Sequence, residues 1–433
     1  MKVVVIGGGV AGVSAALDLA RGGNEVVVVE RSDRIGGLVA SFEIGGTPLE
    51  CFYHHVFPHE REIQQLIDEM GLSSKLEWHP STVGVFTGGR LWPFTSPADL
   101  LRFSPLPFLD RLRTGVGALR LGRVAHWEQL DEIRARDWLE SYTGPKAAEV
   151  VWDPLLRAKF GPVAGEVPAA WMWGRFQQRA GARKGGGEKL GYLRGGFRQL
   201  FDATAAELAR LGADVRTGTA VLRIAVDGGR VTGVETADGP IEADDVLFTG
   251  PLPVLSGLVD DEHVDPRWNG IGSLGVLCTV LELRRPVSGI YWTNVCDPDV
   301  PFGGVIEHTN LIPASDYGTH VMYLSRYFTA DESIAGADPA DEAARWIDVL
   351  DARYPGFSKD DVVAFHPFTT PYAAPLVKIG HLRRIPPLES HIAGMWVCTT
   401  AQIYPQDRGM SEGVRTGKEA AAAIAAASVR APA

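Results

Sequence analysis

The run Lys2-Val3-Val4-Val5-Ile6-Gly7-Gly8-Gly9-Val10-Ala11-Gly12 opens the chain and decides how the rest of it reads. Lys2–Ile6 is a short β-branched strand. The spacing Gly7-x-Gly9-x-x-Gly12 follows, Val13–Arg21 has a helical pattern stopped by Gly22-Gly23, and Glu25–Val29 is a second β-branched run closed by Glu30. Strand, glycine turn, helix and strand with a terminal acid make a βαβ unit of the kind that binds dinucleotides. Gly7 permits the tight turn out of the strand. Gly9 has no Cβ, so a pyrophosphate can approach the backbone of a turn that includes Val10 and Ala11. Gly12 lets the helix pack close to the strand. The helix N-terminus offers unpaired N–H groups and partial positive charge to phosphates, and Glu30 can accept hydrogen bonds from ribose hydroxyls.

The continuation Glu30-Arg31-Ser32-Asp33-Arg34-Ile35-Gly36-Gly37-Leu38-Val39-Ala40-Ser41 resembles the extended fingerprint of the flavin amine oxidase, protoporphyrinogen oxidase and phytoene desaturase superfamily. There an acid is followed by a basic residue, here Arg31, and then by a Gly-Gly pair. The resemblance implies FAD, held without a covalent bond, with Arg34, Gly36, Gly37 and Leu38 along its pyrophosphate and flavin. Gly191–Leu200 (GYLRGGFRQL) resembles the Gly-Gly-x-x-x-Leu segment by which family chains return to the FAD domain. After it, Val221 is implied to meet the adenine through its backbone, and Thr249 to lie near the FAD. Gly394–Met410, with a helix from Ser411 to about Ala427, resembles the C-terminal flavin segment. By that resemblance Asp407 holds the ribityl or phosphate region, and backbone N–H groups at Gly409, Met410 and Ser411 meet the flavin, with Ser411 as N-cap.

The fold so implied is α/β. It has a Rossmann-type FAD-binding domain of the glutathione-reductase-like class, assembled from residues 1–80, 191–265 and 386–433. An inserted α+β substrate domain, 81–190 with 266–385, supplies a mixed sheet and a helical cap. A length of 433 residues accommodates both. The formal net charge of -11 argues against nucleic acid or an anionic membrane as a general partner. The N-terminal apolar run carries three working glycines and is not read as a signal peptide, and no apolar stretch is long enough to span a bilayer. Cys51, Cys278, Cys296 and Cys398 are scattered, which suits reduced thiols in the cytoplasm. The expected partners are a small-molecule substrate and an electron acceptor that the sequence does not name; a homodimer stays open.

Between these landmarks lie the substrate-choosing segments. Tyr53-His54-His55 occupies a position that runs close to the flavin in the resembled family. If extended, it turns Tyr53 and His55 one way and His54 the other. Pro93 to Arg183 reads as a helical cap, with helical periodicity over Leu109–Leu121 and Gln129–Tyr142. Phe103, Leu106, Phe108 and Leu109 are expected to pack inside it, the alternative being a surface for lipid. Arg157 and Lys159 sit among apolar residues and could grip an anionic substrate group; cations reaching solvent from a helix are the competing reading. In the sheet region, Glu307-His308-Thr309-Asn310 puts four polar groups after an apolar run, with Glu307 and Thr309 on one face and His308 and Asn310 on the other. Tyr291, Arg326 and Tyr404 complete the pocket candidates. His54, His55, Glu307 and His308 are the candidate catalytic groups.

The function these features imply is FAD-dependent oxidation, with hydride passing from a small organic substrate to flavin N5. A redox-neutral reaction on a nucleotide sugar, as in the distantly similar UDP-galactopyranose mutase, is the alternative. A non-catalytic flavin-binding module is the third reading.

Overall fold

The computed structural model describes residues 1–121, 124–182 and 188–430. Lys2–Ile6 lies at the centre of a five-stranded sheet in the order Met395–Val397, Asp245–Phe248, Lys2–Ile6, Glu25–Val29, Asp214–Arg216, every pair parallel. Its β-branched run is buried on both faces, as a central parallel strand must be. Val3 and Val5 join the core beneath the helices Val10–Arg21 and Met410–Arg430, while Val4 and Ile6 join the core of the opposite face. The three-stranded antiparallel sheet Val221–Asp227, Arg230–Thr236, Gly239–Glu242 shares that second core.

A seven-stranded mixed sheet forms the other layer. Its order is Val362–Pro375, Ser273–Leu283, His320–Phe328, Gly304–Glu307, Trp292–Val295, Val83–Thr87, Arg90–Pro93. Only the Trp292–Val295 and Val83–Thr87 pairing is parallel. A hairpin turning at Gly88-Gly89 joins the last two strands. Side chains cap two helix starts: Ser96 forms a capping box with Asp99, and the Asp338 carboxylate accepts from Ala340 and Asp341 N–H. The cap comprises Pro97–Arg102, Phe108–Leu121, Ala135–Thr143, Asp153–Phe160 and Ala169–Ala182. Its expected end at Arg183 lies outside the described residues.

Several expectations differ. The periodic stretch Gln129–Tyr142 is a 3-10 turn, Trp127–Glu132, and a separate helix, Ala135–Thr143. Ile133 and Arg134 are pulled out of helix by a bridge to Pro168, with Ala135 N–H donating to Val167 and Ala169 N–H to Ile133. The C-terminal helix begins at Met410, so Ser411 is not its N-cap. Ser411 Oγ instead donates to Glu62 at 2.8 Å and accepts from Ile63 N–H. The strand ends at Glu307, and Thr309 and Asn310 fall in a 3-10 turn with no strand alternation. Phe103 and Leu106 are buried in the cap, but Phe108 is 59% and Leu109 76% exposed. No described helix is long and apolar enough to cross a membrane.

Candidate functional site

At the first glycine turn the backbone takes the shape the motif requires. Gly7 has φ +109°, and its N–H donates to Val29. A Cβ at Gly12 would meet Gly7 O at 2.0 Å, so only glycine lets the helix start this close to the strand. Above Gly9 there is room: its Cβ would find only Gly37 Cα, at 4.0 Å. The Val10–Arg21 helix has no side-chain cap and no acid in its first turn. Its leading N–H groups therefore face an open cradle that suits a pyrophosphate. Gly36 N–H donates to Gly8 O, folding the Gly36-Gly37 pair back over the turn. Glu30 is buried and accepts from Gly8 N–H at 2.7 Å and Ser32 N–H at 2.8 Å, one bond to each oxygen, leaving lone pairs on both for ribose hydroxyls. Arg31 and Arg34 are exposed and Leu38 is half-buried. Thr219 N–H donates to Glu30 O, which brings the start of the Val221–Asp227 strand to this end. Thr249 Oγ1 donates to the carbonyls of Ile6 and Gly7.

The C-terminal helix meets the same corner. A Cβ at Gly417 would lie 2.3 Å from Ala11 O and one at Gly413 3.2 Å from Val10 Cβ, so the two helices cross at contact distance with their N-terminal turns together. Just before it, Asp407 Oδ2 accepts from Lys159 Nζ at 2.5 Å and from Arg175 Nη1 at 3.2 Å, and Oδ1 from Arg408 N–H. Burial opposes ionisation, but the charges of Lys159, Arg175 and Arg408 hold the Asp407 carboxyl well below the usual carboxylate range. Arg408 Nη2 donates to Tyr327 Oη at 3.1 Å. Lys159 lies over the rings of Trp171 and Tyr327. The sequence marks neither Arg175 nor Arg408 with a role: Arg175 reaches Asp407 across 232 positions by packing, and Arg408, although next to Asp407 in the chain, turns its guanidinium to Tyr327.

The Tyr53-His54-His55 segment lies against this cluster. Tyr53 and His55 both pack edge-on against Trp292, while the charge of Arg408 acts on His54. His54 Nδ1 is 2.6 Å from Phe52 O; a carbonyl only accepts, so Nδ1 carries the proton and Nε2 the lone pair. Burial, then the Arg408 charge, pushes the His54 pKa down to about 4, and burial with His54 and Arg175 pushes His55 down to about 3. Both are neutral imidazoles at pH 7. Tyr291 Oη is 3.3 Å from His55 Nδ1.

The other candidates have partners of their own. Glu307 accepts from Ser288 Oγ, Ser288 N–H and Asn310 Nδ2, and Asn310 also donates to the carbonyls of Ser288 and Ile290, so the pair fastens that loop. Burial raises the Glu307 pKa. Arg326 pairs with Glu332, Tyr404 Oη donates to Asp131, and Arg157 is exposed. His308 is buried, with Nε2 2.8 Å from Tyr317 Oη; Tyr317 lies 3.4 Å from Tyr192 Oη, which donates to Glu50 Oε2 at 2.7 Å. Glu50 also accepts from Phe197 N–H at 2.7 Å, fixing the Gly195-Gly196 turn to the Thr47–Glu50 strand.

Burial pushes the Glu50 pKa up to about 6. A folded pKa above the unfolded one favours the protonated form, so its stabilisation is complete below about pH 4.3 and lost as pH rises through about 6. Glu50→Gln keeps the shape and stays neutral. In urea denaturation it should match wild type at pH 4 and exceed it by about 1–2 kcal/mol at pH 8; a gap that does not grow with pH would show that Glu50 is not the titrating group.

The profile of the flavin-containing amine oxidoreductase family matches residues 10–425, and the chain belongs to that family. Its cofactor is FAD. A protein assigned as a flavin-containing monoamine oxidase in Mycobacterium tuberculosis is 27% identical over 280 residues, covering 62% of this chain and 61% of that protein. The 15-cis-phytoene desaturase of Arabidopsis thaliana is 26% identical over 286 residues, covering 60% of this chain and 50% of the desaturase. The chain thus spans 61% and 50% of the lengths of these two curated relatives. A crystal structure of reduced UDP-galactopyranose mutase shares the fold with a TM-score of 0.75 at 16% identity, covering 98% of this chain and 96% of the mutase.

Proposed function

We propose that the protein is an FAD-dependent oxidoreductase that takes hydride from a small organic substrate. The observation that carries this is the open, uncapped cradle above Gly9, walled by Gly36-Gly37 and Glu30, beside the start of the Met410–Arg430 helix. In this reading the parallel sheet is a Rossmann-type FAD domain of the glutathione-reductase-like class, built from residues 1–80, 191–265 and 386–433. Residues 81–190 and 266–385 form the substrate domain. Val10, Ala11 and Gly12 N–H groups hold the pyrophosphate, Glu30 the ribose, and backbone N–H groups at Gly409, Met410 and Ser411 the flavin, without a covalent bond to Cys398. The four free cysteines support a reducing, cytoplasmic setting.

Bound FAD supplies a two-electron acceptor at N5. The chain supplies position and charge. His54 presents a neutral Nε2 that can accept a hydrogen bond, and Tyr53, His55 and Trp292 form one aromatic wall. A histidine with a pKa near 4 is a weak base, so the reaction it suits is hydride loss from an electron-rich carbon, where little base strength is needed. Tyr53, Tyr291 and Lys159 are the substrate contacts retained from the sequence reading.

The test is anaerobic mixing of the FAD-loaded protein with a panel of amines, polyenes, ring systems and sugars, read as bleaching of the oxidised flavin band. Reduction by any class, with turnover dependent on an added acceptor, supports the reading. Turnover of a nucleotide sugar by pre-reduced protein without net electron flow supports the mutase alternative instead. Glu30→Ala removes both acceptors for Gly8 and Ser32 as well as the ribose contact. It should weaken FAD at least about 100-fold, measured by flavin fluorescence on dilution; unchanged affinity would remove Glu30 from the cofactor site.

A further inference from the structure

Around Asp407 the cations outnumber the carboxylate that holds them. Lys159 and Arg175 pair with the same Asp407 oxygen, and Arg408 follows it in sequence, so among the described residues three positive charges meet one carboxylate and two are left without an ion-pair partner. The Lys159 and Asp407 side chains are each only 15% exposed, which limits what water can screen. The neighbouring histidines, His54 and His55, are neutral and offset nothing. Glu60, beyond Gly409, is pushed up to about 7 chiefly by burial and is at most partly ionised at neutral pH. Arg408 Nε is buried and has no hydrogen-bond partner among the described residues, although the same guanidinium donates to Tyr327 through Nη2. A buried charged donor left unpaired is costly unless a ligand atom accepts from it. The wall beside it is aromatic: Lys159 Nζ lies 4.8 Å from the Trp171 ring centre and 5.4 Å from that of Tyr327.

We infer that the substrate carries an oxyanion, a carboxylate or a phosphate, bound by Arg408 Nε with Lys159 and Arg175, and that this site disfavours cationic amines. The inference rests on the cofactor placement proposed above, since the cluster adjoins both His54 and the start of the C-terminal helix. A planar guanidinium with a free N–H suits an oxyanion. An ammonium group entering the same space meets two uncompensated positive charges, which is discrimination by repulsion. Asp407 is the positioning residue: it holds Lys159 and Arg175 together and cancels one of the three charges.

The test titrates the full-length, FAD-loaded protein with benzoate, phenyl phosphate and benzylamine, reading the perturbation of the flavin visible spectrum without turnover. Benzoate or phenyl phosphate should bind at least about tenfold more tightly than benzylamine, and binding should weaken with added salt. Comparison of the two oxyanions tells carboxylate from phosphate. Arg408→Met and Lys159→Met should each retain flavin and lose at least about tenfold in oxyanion affinity. Equal or tighter benzylamine binding overturns the inference, as does oxyanion affinity unchanged in both variants. Arg408→Met and Lys159→Met proteins that fold but purify without flavin also overturn it, because the cations then serve the cofactor's own phosphates. Benzoate binding with no flavin reduction by any panel compound would sink the oxidoreductase reading and leave this one standing.

Discussion

Gly12→Val is expected to yield protein with no bound flavin and a stability loss of about 3 kcal/mol or more. The first added atom already fails. A Cβ there would sit 2.0 Å from Gly7 O and 2.8 Å from Thr249 Oγ1. Neither neighbour can give cheaply, because Gly7 N–H is bonded to Val29, its carbonyl accepts from Thr249 Oγ1, and its φ of +109° is fixed by the turn. The helix must lift from the sheet, and the N–H groups that face the cradle move with it. Gly9→Ala separates folding from binding. Gly9 has φ -73°, which alanine adopts without strain, and its methyl meets nothing closer than Gly37 Cα at 4.0 Å. It should therefore denature at the wild-type urea concentration yet lose FAD about 100-fold, since the methyl fills the space left for the pyrophosphate. Flavin content after gel filtration, beside a urea curve, reads both. A Gly9→Ala protein that keeps its flavin would mean that the phosphates lie elsewhere.

The contrast between these glycines and the cation cluster explains what the chain discloses locally. Gly7, Gly9, Gly12 and Glu30 act within one βαβ unit, where a residue's task follows from its distance along the chain. The edge strand Val362–Pro375 was hidden for the opposite reason. Pro367, Pro371 and Pro375 argue against a central strand, but this strand pairs on one side only, and an edge tolerates proline. Likewise Ile133 and Arg134 fit a helical period until the bridge to Pro168 takes their backbone. At the site, Lys159 was visible as a cation among apolar residues, whereas Arg175 and Arg408 were not. Asp407 lies 232 positions from Arg175, and the approach depends on Gly174, whose Cβ would strike Pro405 O at 2.3 Å, while the Arg408 guanidinium meets Tyr327, 81 positions away. Polar residues such as Glu307 and Asn310 look functional on a strand pattern, but their partners in the Ser288–Ile290 loop come from tertiary packing.

Asp407→Asn should cost about 3 kcal/mol at neutral pH, because it removes the carboxylate that, among the described residues, pairs with Lys159 and Arg175, and leaves partly buried cations facing one another. The sign with pH follows from the direction of each shift. The folded Asp407 pKa lies below the unfolded value of about 3.9, so its contribution is fully present above that value and is lost only as pH falls below it. The wild-type advantage should thus persist at pH 5 and shrink below pH 4. Lys159 behaves in the opposite sense. Burial already pushes its pKa down while Asp407 opposes that shift; with Asn at 407 the opposition is gone and the folded pKa falls further. The variant should then gain stability as pH rises toward the unfolded lysine value of about 10.4, closing part of the gap to wild type. Asp407→Asn/Lys159→Met should recover roughly half of the loss at pH 7, since it removes the closest of the unpaired charges. Urea denaturation of the three proteins at pH 5, 7 and 9 checks this. A gap below about 1 kcal/mol at every pH would mean that solvent screens the cluster as it does an exposed pair, and the excess positive charge could then no longer select an anionic substrate.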